Sequence, residues 1–318
     1  MNWILRLYRI LLQILCTPIF LSDFFTKETG ADYGIRLGQK WDLVFKMIRN
    51  NTRIISGSSF IEHLTMATTL MRLPKNLEGV VVECGTYKGV SAANLSLVCS
   101  LVGRRLEIFD SFEGLPAPTA KDKSHTLLSS KEIHTYDKGA WCGRLEEVEQ
   151  NIARYGRLEV CRFHRGFFDQ TLPAFKEKCA QAFVDVDYVS SLETCLKYLW
   201  PLLADGAYLY THEAGHMEIA SLFFSESWWR ENLSTLPPGL VGAGSGIGIK
   251  ILSGSFFSSS LGYTVKNRQS LQYTEVPQAG GMKLGFEAAS QLTEPNSKHW
   301  NPARQQRSPA PDRLEPIS

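Results

Sequence analysis

The feature that most restricts this chain is an alternation. Short runs of β-branched and aromatic residues exchange with segments of helical periodicity, over and over between Val80 and Thr211. "GVVVEC", "RLEIFD", "RLEVCRFH", "QAFVDVD" and "GAYLYT" read as strands. Between them, "SAANLSLVCSL" reads as a helix capped by Ser91, and "GRLEEVEQNIARYG" as a helix with Leu145, Val148, Ile152 and Tyr155 on one face. "TLPAFKEKCA" opens a third helix, with Thr171 as cap and Pro173 in the first turn. "SSLETCLKYLWPLL" opens on a Ser190–Glu193 capping box. "EIASLFFSESWWREN" adds a helix, and "GIGIKIL" and "SLQYTEV" close the pattern as strands. Repeated strand–helix–strand units demand crossovers, hence a parallel sheet covered by helices. With 318 residues, 44% of them apolar, one large α/β domain with extensions is within reach.

Open parallel sheets bind ligands beyond the carboxyl ends of their strands. Here those ends carry Glu83, Asp110, Gly166 after Arg165, Asp185 with Asp187, and His212 with Glu213. The loop after the first strand, "ECGTYKG", has only Gly85 and Gly89, not the G-x-G-x-x-G of a dinucleotide site. Glu83 in that loop's approach repels a diphosphate and attracts a cation. This argues against a dehydrogenase. It fits S-adenosylmethionine, which carries a sulfonium and an amine and no phosphate. Asp110 follows Gly89 by 21 residues, the distance at which an acid accepts both ribose hydroxyls. A second glycine-rich stretch, "GAGSGIG" (242–248), precedes no helix and reads as a turn into the closing hairpin.

The bulk charge excludes one class of partner. A net charge of +2 from scattered basic residues gives no nucleic-acid footprint. Seven cysteines without a CxxC pair read as free, mostly buried thiols in a reducing, cytoplasmic compartment. The opening "MNWILRLYRILLQILCTPIFLS" is apolar but interrupted by Arg6, Arg9 and Gln13 and broken by Pro18. Its uncharged run, Ile10 to Leu21, is 12 residues, too short to span a bilayer as a helix. Packing on the domain or peripheral membrane contact through residues 1–22 ranks above a signal peptide, for which no clean cleavage site follows. The expected organisation is a helical extension over 1–55 and a catalytic domain over 56–288 with a lid at 117–143. A disordered, proline-rich tail follows over 289–318. Trp228–Trp229 is expected to pack against the lid or against the partner in a homodimer.

Four segments together carry a resemblance: "VVVECGTYKGVSA", "IFDSFEGLPAP", "FHRGFFDQTLP" and "FVDVDYVSSLETCLKYLWPLLADGAYLYTHE". In this order they resemble the macrocin O-methyltransferase (TylF-like) family over roughly residues 61–251. The resemblance implies a class I methyltransferase fold, a Rossmann-like three-layer α/β sandwich. Its sheet is seven-stranded and mostly parallel, with a C-terminal antiparallel hairpin. It implies S-adenosylmethionine-dependent O-methyl transfer to a hydroxyl of a sugar or glycosylated small molecule. By the same resemblance Glu83, Gly85 and Thr86, with Tyr87 and Ser91 beside them, hold the methionine end of the cofactor. Asp110 and Ser111 hold the ribose, and Gly166 and Phe167 border the adenine. Asp185 takes the place of a metal ligand and catalytic acid–base group.

The chain departs from that pattern at the fifth strand. The family has a pair of aspartates there, completing a magnesium site, and this chain has His212–Glu213. Asp185, His212 and Glu213 suit magnesium, manganese, iron or zinc, or no metal at all. His212 is also a candidate general base, and His216 either a substrate contact or a surface residue. Two alternatives therefore stand beside a metal-assisted enzyme. One is a metal-independent methyltransferase using His212, and the other a non-enzymatic scaffold or sensor that keeps the nucleoside pocket.

Overall fold

The computed structural model describes residues 21–128, 133–244, 246–247 and 259–267, and seven positions between 4 and 18. The chain divides into residues 1–272 and 273–318, and the second unit lies outside the described residues. So does the expected tail.

Six strands form the sheet: β1 (Val80–Cys84), β2 (Leu106–Asp110), β3 (Cys161–Arg165), β4 (Cys179–Val184), β5 (Leu203–Thr211) and β6 (Gly262–Val265). Their spatial order is β3-β2-β1-β4-β5-β6. All neighbours run parallel except β6, which is antiparallel to β5. The order reverses between β1 and β4, and such a switch point leaves a crevice at the strands' carboxyl ends.

Alternate side chains serve opposite faces. Val81, Ile108, Phe183 and Tyr210 face one core. That core is covered by α1 (Leu37–Arg53), α2 (Phe60–Arg72), α3 (Val90–Val102) and α4 (Leu145–Tyr155). Val82, Phe109, Val184 and Leu209 face the other, under α5 (Val189–Leu199), α6 (Met217–Leu222) and α7 (Glu226–Leu233). Each aliphatic side chain so buried contributes about 1.5–3 kcal/mol. A one-residue slip of any central strand would exchange the two faces, so register is strongly held. In α1, Leu43, Val44, Met47 and Ile48 turn inward, so this part of the N-terminal extension belongs to the core.

Several local expectations are corrected. Ser91 is not the cap of α3; Gly89, at φ +82°, occupies the N-cap, and Ser91 is spent on Glu83. No long helix follows Thr171. A four-residue helix, Phe168–Thr171, passes into a 3-10 turn at Leu172–Ala174, and β4 begins at Cys179. Pro173 removes a backbone donor, and the chain re-enters the sheet before another turn can form. The Ser190–Glu193 box is absent too. Helix α5 starts at Val189, and Asp122 accepts from the Ser190 N–H and hydroxyl at 3.0 and 2.6 Å. Glu193 pairs with Lys121 instead.

Trp229 packs inside its own chain. It is fully buried, edge-on to Trp200 at 4.8 Å, and donates from Nε1 to the Leu222 carbonyl. The expected single helix around it is two, α6 and α7. "GIGIKIL" falls largely, and "SLQYTEV" wholly, outside the described residues; β6 (Gly262–Val265) lies between them and was not expected, and the described residues hold six strands of the sheet. The described cysteines are free, as expected.

Candidate active site

The site is assembled by loops that leave the carboxyl ends of β1, β2, β4 and β5. Gly85 lies at φ +82°, and a Cβ there would sit 1.9 Å from the Asp185 carbonyl oxygen. Only glycine lets the β1 loop approach the end of β4 this closely. Next to it, Thr86 N–H donates to Asp110 Oδ2 and Phe112 N–H to Oδ1, each at 2.7 Å. Asp110 thereby ties the β1 and β2 loops together. Tyr87, Trp141 and Asp187 all hold φ near +50° in the left-handed region, and all three line the cavity. Such backbone costs about 1–3 kcal/mol per residue and collects where a site is shaped.

The loops enclose a cavity of about 680 Å³. This is the size of a small-molecule site. Gly85, Thr86, Tyr87, Ser91, Asp110, Ser111, Phe167, Asp185, His212 and Glu213 all line it. The segment expected as a lid contributes Ala117, Thr119, Leu127, His134, Tyr136 and Trp141, and pairs His125–Thr126 with Ile133–His134 as a short ribbon. His216 also lines the cavity, at the start of α6. Two predicted residues do not. Gly166 shapes the turn after β3, its N–H donating to the Asp110 carbonyl, while its neighbour Phe167 reaches the cavity.

Glu83 is the other exception. It is fully buried behind Ser91, whose hydroxyl donates to Oε1. Burial pushes its carboxyl up to about 8 against the hydrogen bonds of Ser91 and Thr86, and the Asp110 charge pushes the same way. It reaches the cavity lining through Ser91.

At the ends of β4 and β5 lies an acidic cluster around one cation. His212 Nε2 is 3.3 Å from Glu62 Oε2, and Nδ1 is 3.8 Å from Asp185 Oδ1. Burial disfavours charge on the imidazole, yet Glu62 and then Asp185 outweigh it and push its pKa up to about 10. Glu62 is itself buried, but the His212 charge and hydrogen bonds from Ser59 and Ser259 hold it well below the usual carboxylate range. Asp185 goes the other way. Burial and the Glu213 and Asp187 carboxylates raise it well above an ordinary aspartate despite His212. The cation is shared unequally because Glu62 stands apart from the other acids. Burial and Glu213 likewise push Asp187 up to about 7.

This donor set does not fit the expected metal. Glu213 Oε1 accepts the backbone N–H groups of Val186 and Asp187 at 2.9 and 3.1 Å, and Oε2 accepts the Thr211 hydroxyl. Both ring nitrogens of His212 face carboxylates, which favour the protonated ring. Among the described residues no three His, Cys, Asp or Glu side chains converge as metal ligands. Asp185, His212 and Glu213 are thus brought together, but as a brace and an ion pair. The same carboxylates favour the charged form of His212, and an imidazolium has no lone pair to accept a proton, which weighs against His212 as base.

Glu62 was not anticipated as a site residue. Its signal was present in "SSFIEHL", where Ser59 and Glu62 form a true capping box. One carboxylate oxygen caps α2 and meets His212; the other accepts from Ser259 and Ser260.

A mostly parallel sheet with an antiparallel edge, a glycine loop after β1 and an acid ending β2 define a class I S-adenosylmethionine-dependent methyltransferase. Residues 51–232 match the macrocin-O-methyltransferase (TylF) family, and the chain belongs to that family. It is an S-adenosylmethionine-dependent O-methyltransferase. Among solved structures, the O-methyltransferase NovP is similar with a TM-score of 0.51 at 19% identity, over 70% of this chain and 88% of NovP. The likeness is one of fold. The calicheamicin methyltransferase CalS11 gives a TM-score of 0.43 at 14% identity, over 71% of this chain and 92% of its own. TomG from Streptomyces achromogenes, an O-methyltransferase of tomaymycin synthesis solved with S-adenosylmethionine, gives 0.39 at 12% identity, over 71% and 90%. No curated protein matches the sequence.

Proposed function

We propose that the chain methylates a hydroxyl of a sugar or glycosylated small molecule, that Asp185 takes the hydroxyl proton, and that no metal is needed. The observation that carries this reading is the position of Asp185. It is the carboxylate directly at the end of β4, lining the cavity against the Gly85 loop and beside a histidine whose charge Glu62 favours. Gly85 and Thr86 suit the methionine end of the cofactor. Asp110, each oxygen keeping a lone pair beyond its loop hydrogen bond, suits the ribose, and Phe167 suits the adenine. Bound there, S-adenosylmethionine supplies an electrophilic methyl group.

The protein's own work is alignment and proton removal. Holding oxygen, methyl carbon and sulfur in line is worth up to about 7–11 kcal/mol. A positioned base adds about 10²–10⁴-fold. Asp185 would take the acceptor's O–H proton on a carboxylate oxygen, and the cofactor, giving up its methyl group to the acceptor oxygen, would depart as a neutral thioether. A carboxyl raised above its ordinary range is a stronger base once ionised, and the His212 charge beside it favours that ionised form. The cavity lining also mixes apolar Leu127 and Trp141 with polar Tyr136, His134 and His216. Such a surface suits a sugar, which offers a C–H face and hydroxyl edges.

Methyl transfer from labelled cofactor to a panel of sugars and glycosylated acceptors tests this. Asp185→Asn should lose about 10²–10⁴-fold in kcat while still binding the cofactor, and exhaustive chelation should leave the wild type active. Full turnover by Asp185→Asn on a verified acceptor rejects the assignment.

A further inference from the structure

Near its start the chain carries a helix with its apolar side outward. The described positions between 4 and 18 are helical. Ile4, Leu7, Tyr8, Leu11 and Leu15 are each between 50% and 62% exposed. At 100° per residue these five fall on one stripe about 100° wide. In the sequence the polar residues Asn2, Arg6, Arg9 and Gln13 recur at the same period, half a turn out of phase. Folding has therefore left the apolar stripe of an amphipathic segment uncovered. A second apolar group lies on α1 and the segment before it: Phe25 packs on Trp41 at 4.7 Å, Trp41 on the exposed Phe45 at 6.0 Å, and Leu37 is exposed on α1 as well.

We propose that this stripe docks on an anionic lipid surface. The uncharged run of this segment, Ile10 to Leu21, is 12 residues and too short to span a bilayer as a helix, so the helix would lie in the interface. The charge pattern selects the lipid. Residues 1–22 hold two arginines and no acid, and the first acid, Asp23, is already paired with Arg72 at 3.2 Å. Arginines opposite an apolar stripe reach back along their stems to lipid phosphates. The five apolar side chains supply most of the affinity, and the arginines supply the preference for negative charge.

The test is co-sedimentation of the full-length protein with vesicles of phosphatidylcholine alone, or with about 30% phosphatidylserine added. Sedimentation should be favoured by phosphatidylserine and weakened by salt. Leu11→Glu should cut partitioning by about 10- to 100-fold, and Arg6→Gln with Arg9→Gln should cut the phosphatidylserine preference by about fivefold per arginine. Both variants should keep the wild-type melting temperature and cofactor affinity. Absence of binding to either vesicle by the wild-type protein overturns the proposal without recourse to any variant. So does a dimer, seen by light scattering, that Leu11→Glu dissociates, because the stripe would then belong to a second copy.

Discussion

Replacing Glu62 by glutamine removes one charge from the His212 pair and almost no volume. The wild-type carboxylate takes hydrogen bonds from Ser59, Ser259 and Ser260 and faces His212 Nε2 at 3.3 Å, all at 4% exposure. His212 titrates near 6.5 when unfolded and near 10 when folded. A group raised on folding contributes its full stability below the unfolded pKa and loses it as pH climbs to the folded one. The wild type should therefore lose stability between pH 6.5 and about 10 from this residue, and the span sets a ceiling of about 5 kcal/mol. Glu62 is lowered on folding, so its share is present above pH 4.5 and lost below it. The two describe one interaction and are not added. With glutamine at 62, only Asp185, whose pKa burial and its acidic neighbours raise, faces the imidazole. Breaking a buried pair from one side costs about 3–5 kcal/mol, and the amide recovers part of this as a neutral hydrogen bond. Urea unfolding at pH 6 should show a loss of about 2–4 kcal/mol, and the gap to wild type should close by pH 10. A variant with the wild-type pH slope would refute the reasoning, and an imidazole titration by NMR left near 10 would do so independently.

Two further perturbations follow from the loops. Gly85→Ala would drive a methyl into the Asp185 carbonyl in a left-handed backbone. It should abolish cofactor binding in calorimetry and lower the melting temperature. Asp122→Ala removes the acceptor for Ser190 at the start of α5 and for Thr119. It should cost about 1–2 kcal/mol in urea unfolding and speed proteolysis of the 117–143 segment, whereas Asp122→Asn should recover part of both.

The sheet was legible because burial on both faces leaves a pattern in every central strand. Val81 and Val82 serve opposite cores, and nothing in the sequence competes with that reading. Caps were less legible, because one local pattern has two outcomes. Ser59–Glu62 and Ser190–Glu193 share a spacing, yet only the first closes a box. At the second, Asp122 reaches Ser190 from the other side of the site, and α5 begins before the serine. Glu83 was legible as the odd residue of its loop, but its side chain turns into the α3 side of the sheet and reaches the cavity lining through Ser91. The His212–Glu213 departure was visible too. Its meaning depended on Glu62, which lies 150 residues earlier in the chain, and on the backbone donors that occupy Glu213. Distances of that kind leave no periodic trace.

The central claim is that the cavity beyond β1, β2 and β4 binds S-adenosylmethionine. Isothermal calorimetry of the full-length protein with S-adenosylmethionine, compared with Asp110→Ala, tests it most directly. A single saturating transition, unchanged by magnesium or chelator and much weakened in the variant, is the predicted result. A folded wild-type protein that releases no heat with S-adenosylmethionine, and none with its demethylated product, would contradict it.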